Sequence, residues 1–330
     1  MITPMLHTIL HPEGYHGHQA RPPFFEGWYY KLVDKTEQHR YAIIPGVSLN
    51  PGGDGPHAFV QVLDGVSGRT AYHVYPLTDF WAADKGFYVR IGPNHFTAAS
   101  LKLDLPEDAS LALKGEVAFY DMVPWPGTPL APNIMSWYAW VPRMECYHGV
   151  VSLDHGIHGT LNVNGQSLTF TEGRGYIEKD WGQSFPAAWI WTQTNHFKTP
   201  GVSLTASVAH IPWLGGAFRG FIVGLLRDGI LYRFATYTGA IIEKLDIAPD
   251  RVIWTLRDRL YRLQLTAHRQ PGADLQGPSR AAMDRRVPET LQATVNVTLT
   301  TLAGDRVLFA ETGRNAGLEI VGDLATLTTE

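Results

Sequence analysis

Asn-Gly and Asp-Gly dipeptides set between runs of β-branched and aromatic residues constrain this chain more than any other feature. Asn164-Gly165 separates the run 160–163 from 167–170, and Asp228-Gly229 separates 221–226 from 230–237. A two-residue hairpin needs positive φ at its turn, which these dipeptides tolerate. Asp64-Gly65 and Gly304-Asp305 mark further turns. Strands are expected near 24–33, 40–47, 57–63, 69–75, 85–90, 95–103, 111–119, 146–153, 159–163 and 167–171. In the second half they are expected near 174–180, 188–196, 202–210, 219–226, 230–237, 251–257, 260–268, 290–302, 306–311 and 317–321. The one helical segment expected is Pro278–Asp284. Such strand density implies an all-β protein built of antiparallel barrels or sandwiches. With 330 residues the chain exceeds one small core. Two domains, 1–171 and 172–330, are expected.

One stretch breaks the pattern. The segment 121–142 holds Pro124, Trp125, Pro126, Pro129, Pro132, Trp137, Trp140 and Pro142. Its prolines lack ladder donors, so it is no central strand. A long Pro- and Trp-rich connection reads either as a lid or binding loop, or as an ordinary loop packed over a barrel mouth.

Composition removes several function classes. The hydrophobic fraction is 45% and the charged fraction 18%, as in a globular chain. The formal net charge is −4 and there is no long basic run, which argues against a nucleic-acid partner and against purely electrostatic membrane contact. Cys146 is the single cysteine, so no intramolecular disulfide forms. No apolar stretch reaches the length of a membrane span. Residues 1–18 lack a basic stretch followed by an apolar one, so no export signal is expected and a cytoplasmic location is.

Two aromatic-acidic segments carry the chemistry. One is Phe24-Phe-Glu-Gly-Trp-Tyr-Tyr30. The other is Tyr176-Ile-Glu-Lys-Asp-Trp-Gly182, which runs on through Trp189, Trp191, Gln193 and Asn195. Strand alternation puts Phe24, Glu26, Trp28 and Tyr30 on one face. Tyr176, Glu178 and Asp180 share another face, with Lys179 and Trp181 opposite. Trp189, Trp191, Gln193 and Asn195 line up in turn, suggesting a ring-lined cavity with a few fixed polar groups. A carboxyl buried in such a wall has its pKa raised by desolvation, by up to about 3–5 units, and can then donate a proton. Indole and phenol faces attract a cation, each worth roughly 0.5–2 kcal/mol. The alternative is structural: Glu178 and Asp180 pair with Arg174 or Lys179, and Glu26 with Arg21 or Lys31. His57 and His210 read as inward-facing residues of strands, either lining the cavity or satisfied within the core. His11, His16 and His18, like His148, His155 and His158, show no metal-ligand spacing, so no metal is expected. There is no nucleophile elbow, phosphate loop or dinucleotide fingerprint.

Phe24–Tyr30, Tyr176–Gly182, the Phe185-Pro-x-x-Trp-x-Trp-x-Gln193 stretch with Asn195, and Ala316-Gly-Leu-Glu-Ile-Val-Gly322 resemble the tocopherol cyclase family, over about Gly14 to Asp323. The resemblance implies two lipocalin-like barrels, related to the folds of carotenoid hydratases and some fungal Diels–Alder cyclases. It implies a cofactor-free closure of a prenylated hydroquinone to a chromanol: an acid protonates the alkene and the phenol captures the cation. Glu26, Glu178 and Asp180 are then the candidate acids. Plant members place Asn where Asp180 stands, which ranks Glu178 ahead of it. Trp28, Tyr30, His57, Tyr176, Trp181, Trp189, Trp191, Gln193, Asn195 and His210 are the candidate substrate-binding residues. The 124–140 loop would shield the cation and touch the membrane that holds an apolar substrate. A hydratase or pericyclic enzyme on the same fold, or a non-catalytic isoprenoid carrier, are the alternatives.

Overall fold

The computed structural model describes residues 9–106, 110–213 and 215–328. Their first strands are β1 (Phe25–Val33), β2 (Arg40–Ser48), β3 (His57–Asp64), β4 (Thr70–Tyr75), β5 (Phe80–Ala82), β6 (Tyr88–Ile91), β7 (Asn94–Thr97), β8 (Ser100–Asp104), β9 (Leu113–Val123), β10 (Cys146–Val163), β11 (Gln166–Thr169) and β12 (Gly173–Gly182). They form one antiparallel sheet in the order β4-β3-β2-β1-β12-β10-β9-β8-β7-β6-β5, with β11 on β10. The remaining strands are β13 (Trp189–Thr194), β14 (Ser203–Trp213), β15 (Gly216–Arg227), β16 (Ile230–Ala235), β17 (Ile241–Ile247), β18 (Arg251–Arg257), β19 (Tyr261–His268), β20 (Ala273–Gly277), β21 (Arg285–Thr301) and β22 (Val307–Val321). The second sheet runs β16-β15-β14-β13-β22-β21-β19-β18-β17.

Each sheet is a nearly closed antiparallel barrel around its own apolar core. The first core takes alternate residues of each wall strand: Trp28, Tyr30 and Leu32 from β1, Ala58, Val60 and Val62 from β3, and Ile177 from β12. The second takes Ile190 from β13, Leu204, Ala206 and Val208 from β14, and Val295, Val297 and Leu299 from β21. This period of two is the direct result of the strand pleat. The hairpin signals hold: Asn164, Gly165, Asp228 and Gly229 all have positive φ.

The division between units differs from the boundary expected at 171. β12 is an inner strand of the first sheet, hydrogen-bonded to β1 and β10. The described residues up to Phe185 form the first unit together with Asp274–Arg286, and the second unit is Pro186–Ala273 with the described residues from Val287 on. Pro278–Asp284 is not a helix. Ser279 N–H donates to the Ala282 carbonyl, and Ser279 Oγ accepts from Ala281 and Ala282 N–H. Serine side-chain bonding to nearby backbone favours such a turn over a helix. The two strands expected at 146–153 and 159–163 are one, β10, whose register against β12 shifts at Val150/Ser152 and Ser152/His155. The Pro- and Trp-rich segment follows β9 as a loop with one 3₁₀ turn, Ser136–Trp140, and it exposes Leu130 and Trp137. Among the described residues no helix is long and apolar enough to cross a membrane.

Candidate active site

The pairing of β1 with β12 decides which acids meet which bases. Glu26 lies opposite Trp181, Trp28 opposite Lys179, and Tyr30 opposite Ile177. Directly opposed residues of an antiparallel pair point to the same face, and here Tyr30 and Ile177 mark it as the inner one. The inner face of the first barrel therefore holds Glu26, Trp28, Lys179 and Trp181, with Glu26 and Lys179 completely buried. Glu26 and Lys179 form an ion pair. The Lys179 ammonium sits 4.8 Å from the Trp28 ring centroid and 4.9 Å from that of Trp181. A strap formed by residues 13–16 closes the arrangement. His16 N–H donates to both Glu26 oxygens at 3.0 and 2.9 Å, Lys179 donates to the Gly14 carbonyl, and Trp28 Nε1 donates to the Glu13 carbonyl at 2.9 Å. The His16 ring stacks on Trp181 at 4.2 Å.

Burial alone would raise the Glu26 pKa, but Lys179 and His16 outweigh it and hold the carboxyl below its usual range. Burial pushes Lys179 down to about 8 against the pull of Glu26. Glu26 is thus an anion whose two oxygens both accept hydrogen bonds. It is not the neutral proton donor that its aromatic setting suggested, and its partner is neither Arg21 nor Lys31.

The opposite face of β12 carries a different group. Glu178 and Asp180 point there with Tyr176, and β10 sets His148 directly opposite Asp180. His148 Nδ1 lies 2.8 Å from Asp180 Oδ1, and Nε2 lies 3.7 Å from Glu178 Oε2. The Tyr176 hydroxyl donates to that same Glu178 oxygen at 2.5 Å. Burial would lower the His148 pKa, but Asp180 and Glu178 reverse it and carry it up to about 9. His148 is therefore an imidazolium at neutral pH. The cluster is partly open: the side chains of His148 and Asp180 are 17% and 28% exposed. One nitrogen and two carboxylate oxygens within 4.8 Å also make a donor set of the kind a divalent cation takes. His148 N–H donates to Met135 Sδ at 3.1 Å, which ties the cluster to the Pro- and Trp-rich loop.

The candidate residues thus fall into separate places. Glu26, Trp28, Tyr30 and Trp181 share the inner face, where Tyr30 donates its hydroxyl to the Thr97 carbonyl. Tyr176, Glu178 and Asp180 share the reverse face, so the candidate substrate-binding residues Trp28, Tyr30 and Trp181 lie on one side of β12 and Tyr176 on the other. His57 joins neither group; it contacts the Gly55 carbonyl at 2.6 Å and the Tyr72 hydroxyl at 2.8 Å. Trp189, Trp191, Gln193, Asn195 and His210 belong to the second unit. Trp189, Trp191 and Gln193 are buried on the face of β13 turned away from that unit's core, and Trp189 Nε1 donates to Glu319 at 2.6 Å. Asn195 is buried just beyond β13, and His210 is half-buried on β14. A polar groove of about 400 Å³ lies elsewhere on the first unit, lined by Gln61, Tyr72, His73 and Gln276 among others, and contains none of the candidate acids.

Sequence reasoning passed over His148, His16 and Lys179 as site residues. His148 and Lys179 meet their carboxylates across 30 or more positions, so no local spacing marks them, and His16 reaches Glu26 from outside any strand. The one available signal was that Tyr176, Glu178 and Asp180 had to face some strand not yet identified.

A family model described as tocopherol cyclase-like matches residues 134–322. The match takes in His148 and Tyr176–Gly182 and begins after Glu26. A probable chloroplastic tocopherol cyclase of Oryza sativa subsp. japonica is 24% identical over 324 residues, covering 82% of this chain and 68% of the relative. A chloroplastic tocopherol cyclase of Zea mays is 31% identical over 112 residues, covering 32% of this chain and 23% of its own length. Among solved structures, a putative AttH from Nitrosomonas europaea superposes with a TM-score of 0.53 at 14% identity, over 90% of this chain and 92% of its own. CghA with Sch210972 does so with a TM-score of 0.56 at 10% identity, over 92% and 89%. At these identities the structures speak for the shared fold alone. The model match extends over more than half of the sequence and includes the strand that carries both acid groups, and on that ground the chain belongs to the tocopherol cyclase-like family.

Proposed function

We propose that this protein closes a prenylated hydroquinone, such as a phytyl benzoquinol, to a chromanol. Family membership supports the substrate class. The chemistry is supported by one observation: an imidazolium and a carboxylate, His148 and Glu178, face each other across 3.7 Å, beneath the more exposed Asp180. In the reaction His148 Nε2 gives its proton to the alkene carbon nearer the ring. The adjacent carbon becomes a tertiary cation, the ortho phenol oxygen bonds to it, and the phenol proton passes to Glu178. Transfer of that proton from Glu178 to His148 restores the starting state. One C–O and one C–H bond form while the O–H bond and the alkene π bond break, so the step is redox-neutral. Asp180 holds the imidazole through Nδ1 and so aims Nε2 toward Glu178, the same division of labour by which a carboxylate orients a catalytic histidine elsewhere. Tyr176 fixes the Glu178 oxygen.

General acid–base groups typically contribute about 10²–10⁴-fold. Glu178→Gln and His148→Asn should each lower turnover of a phytyl benzoquinol into that range while leaving the thermal transition cooperative. Unchanged turnover in either would remove that residue from the mechanism. Water addition to the side chain in place of ring closure would identify a hydratase, and ligand binding without any product would identify a carrier.

A further inference from the structure

The inner wall of the first barrel holds an ion pair that folding alone does not call for. Replacing a buried pair by packed apolar residues is often neutral or stabilising, yet Glu26 and Lys179 sit wholly buried between Trp28 and Trp181. Apart from that pair, their hydrogen bonds go to the strap and not to the barrel. Both Glu26 oxygens accept His16 N–H. Lys179 donates to the Gly14 carbonyl and approaches His16 Nδ1 at 2.7 Å. Trp28 Nε1 donates to the Glu13 carbonyl. Over this polar rim the His16 ring lies flat on Trp181, at 11° between planes. The strap therefore offers the wall a flat ring, an N–H donor for the carboxylate and an oxygen acceptor for the ammonium. A phenol or hydroquinone ring offers the same set, through an O–H for Glu26, a ring oxygen for Lys179 and a π face for Trp181.

We infer that Glu26, Trp28, Lys179 and Trp181 form a binding site for a planar phenol or hydroquinone ring, occupied in this structure by the chain's own residues 13–16. The site lies on the face of β12 opposite His148, and it stands or falls independently of the cyclisation reading. Ligand entry displaces the strap. The strap in turn sets a threshold, so that only a ring satisfying both the carboxylate and the ammonium competes with it.

The test uses the full chain, with phenol as the probe and toluene as the ring that lacks oxygen. His16→Ala keeps the backbone donor and removes the stacked ring. Calorimetry should show phenol binding at least tenfold tighter in His16→Ala than in the wild type, with no such gain for toluene, and the gain should vanish in His16→Ala/Trp181→Leu. A folded His16→Ala protein that binds phenol no better than the wild type would overturn the proposal. A second measurement covers the case in which His16→Ala fails to fold. In the wild type, phenol should accelerate hydrogen exchange of the amides of residues 14–17 in a saturable way and toluene should not; exchange indifferent to phenol overturns the inference equally. Both readouts report binding alone, so they remain interpretable if Glu178→Gln leaves turnover unchanged.

Discussion

Glu26 and Lys179 show how little a residue's own neighbourhood in sequence tells about its charge state. Alternation correctly placed Glu26 beside Trp28 and Tyr30, and in an apolar wall a carboxyl drifts toward its neutral form. The lysine that reverses this outcome arrives from 153 positions away, through the β1–β12 register. Removing one partner of a buried pair leaves an uncompensated charge, at a cost of roughly 3–5 kcal/mol. Lys179→Met should lose that much stability in urea unfolding, while Glu26→Gln/Lys179→Met should recover most of it. A single variant as stable as the double would contradict the pairing. His148 makes a pH prediction. Its folded pKa, about 9, lies above its ordinary 6.5, so its contribution to stability is fully present below pH 6.5 and fades as pH rises through 9. At 1.36 kcal/mol per unit, the contribution is on the order of 3 kcal/mol at most. Lys179, lowered to about 8, acts in the opposite sense above that pH, so the His148 effect is read as the difference between wild type and His148→Asn across pH 6–10. A pH-independent difference would show that folding does not raise the pKa of the histidine.

β12 is the element on which both groups depend, one on each face. Its end is set by Gly182, whose φ is +149° and whose added Cβ would lie 2.5 Å from the Glu145 carbonyl oxygen. That oxygen belongs to the backbone and cannot swing away, so Gly182→Ala should destabilise the first unit by more than about 2 kcal/mol by chemical denaturation; a smaller change would show that the strand end shifts freely. The Pro- and Trp-rich loop is tied back by Tyr147, whose hydroxyl donates to the Val141 carbonyl at 2.7 Å and accepts Met144 N–H at 3.2 Å. Tyr147→Phe should cost about 1 kcal/mol and speed hydrogen exchange in 133–144. Elements with two-residue periodicity and clear turn dipeptides were legible in the sequence, β1, β3 and β18 among them. β17 was not, because Glu243, Lys244 and Asp246 break its apolar alternation. Charged side chains of this kind are what an edge strand carries to block further pairing. β10 read as two strands because the polar, glycine-containing run 154–159 resembles a turn, whereas the chain absorbs the irregularity as bulges.

At the scale of the whole molecule, two antiparallel barrels were legible because pleat and turn chemistry are local. The site was legible only by residue type. Which of the named acids and rings share a face follows from the pairing of β1 with β12 over more than a hundred positions, and local patterning does not encode that. Of the candidate acids, Glu26 is taken up by Lys179, while Glu178 and Asp180 meet His148. Turnover of a phytyl benzoquinol in D₂O tests the proposed closure most directly. Protonation of the alkene predicts one solvent deuterium in the chromanol, on the carbon next to the new ether carbon, at a rate that falls together in His148→Asn and Glu178→Gln. Chromanol formed without deuterium, or formed at the wild-type rate by both variants, would contradict it.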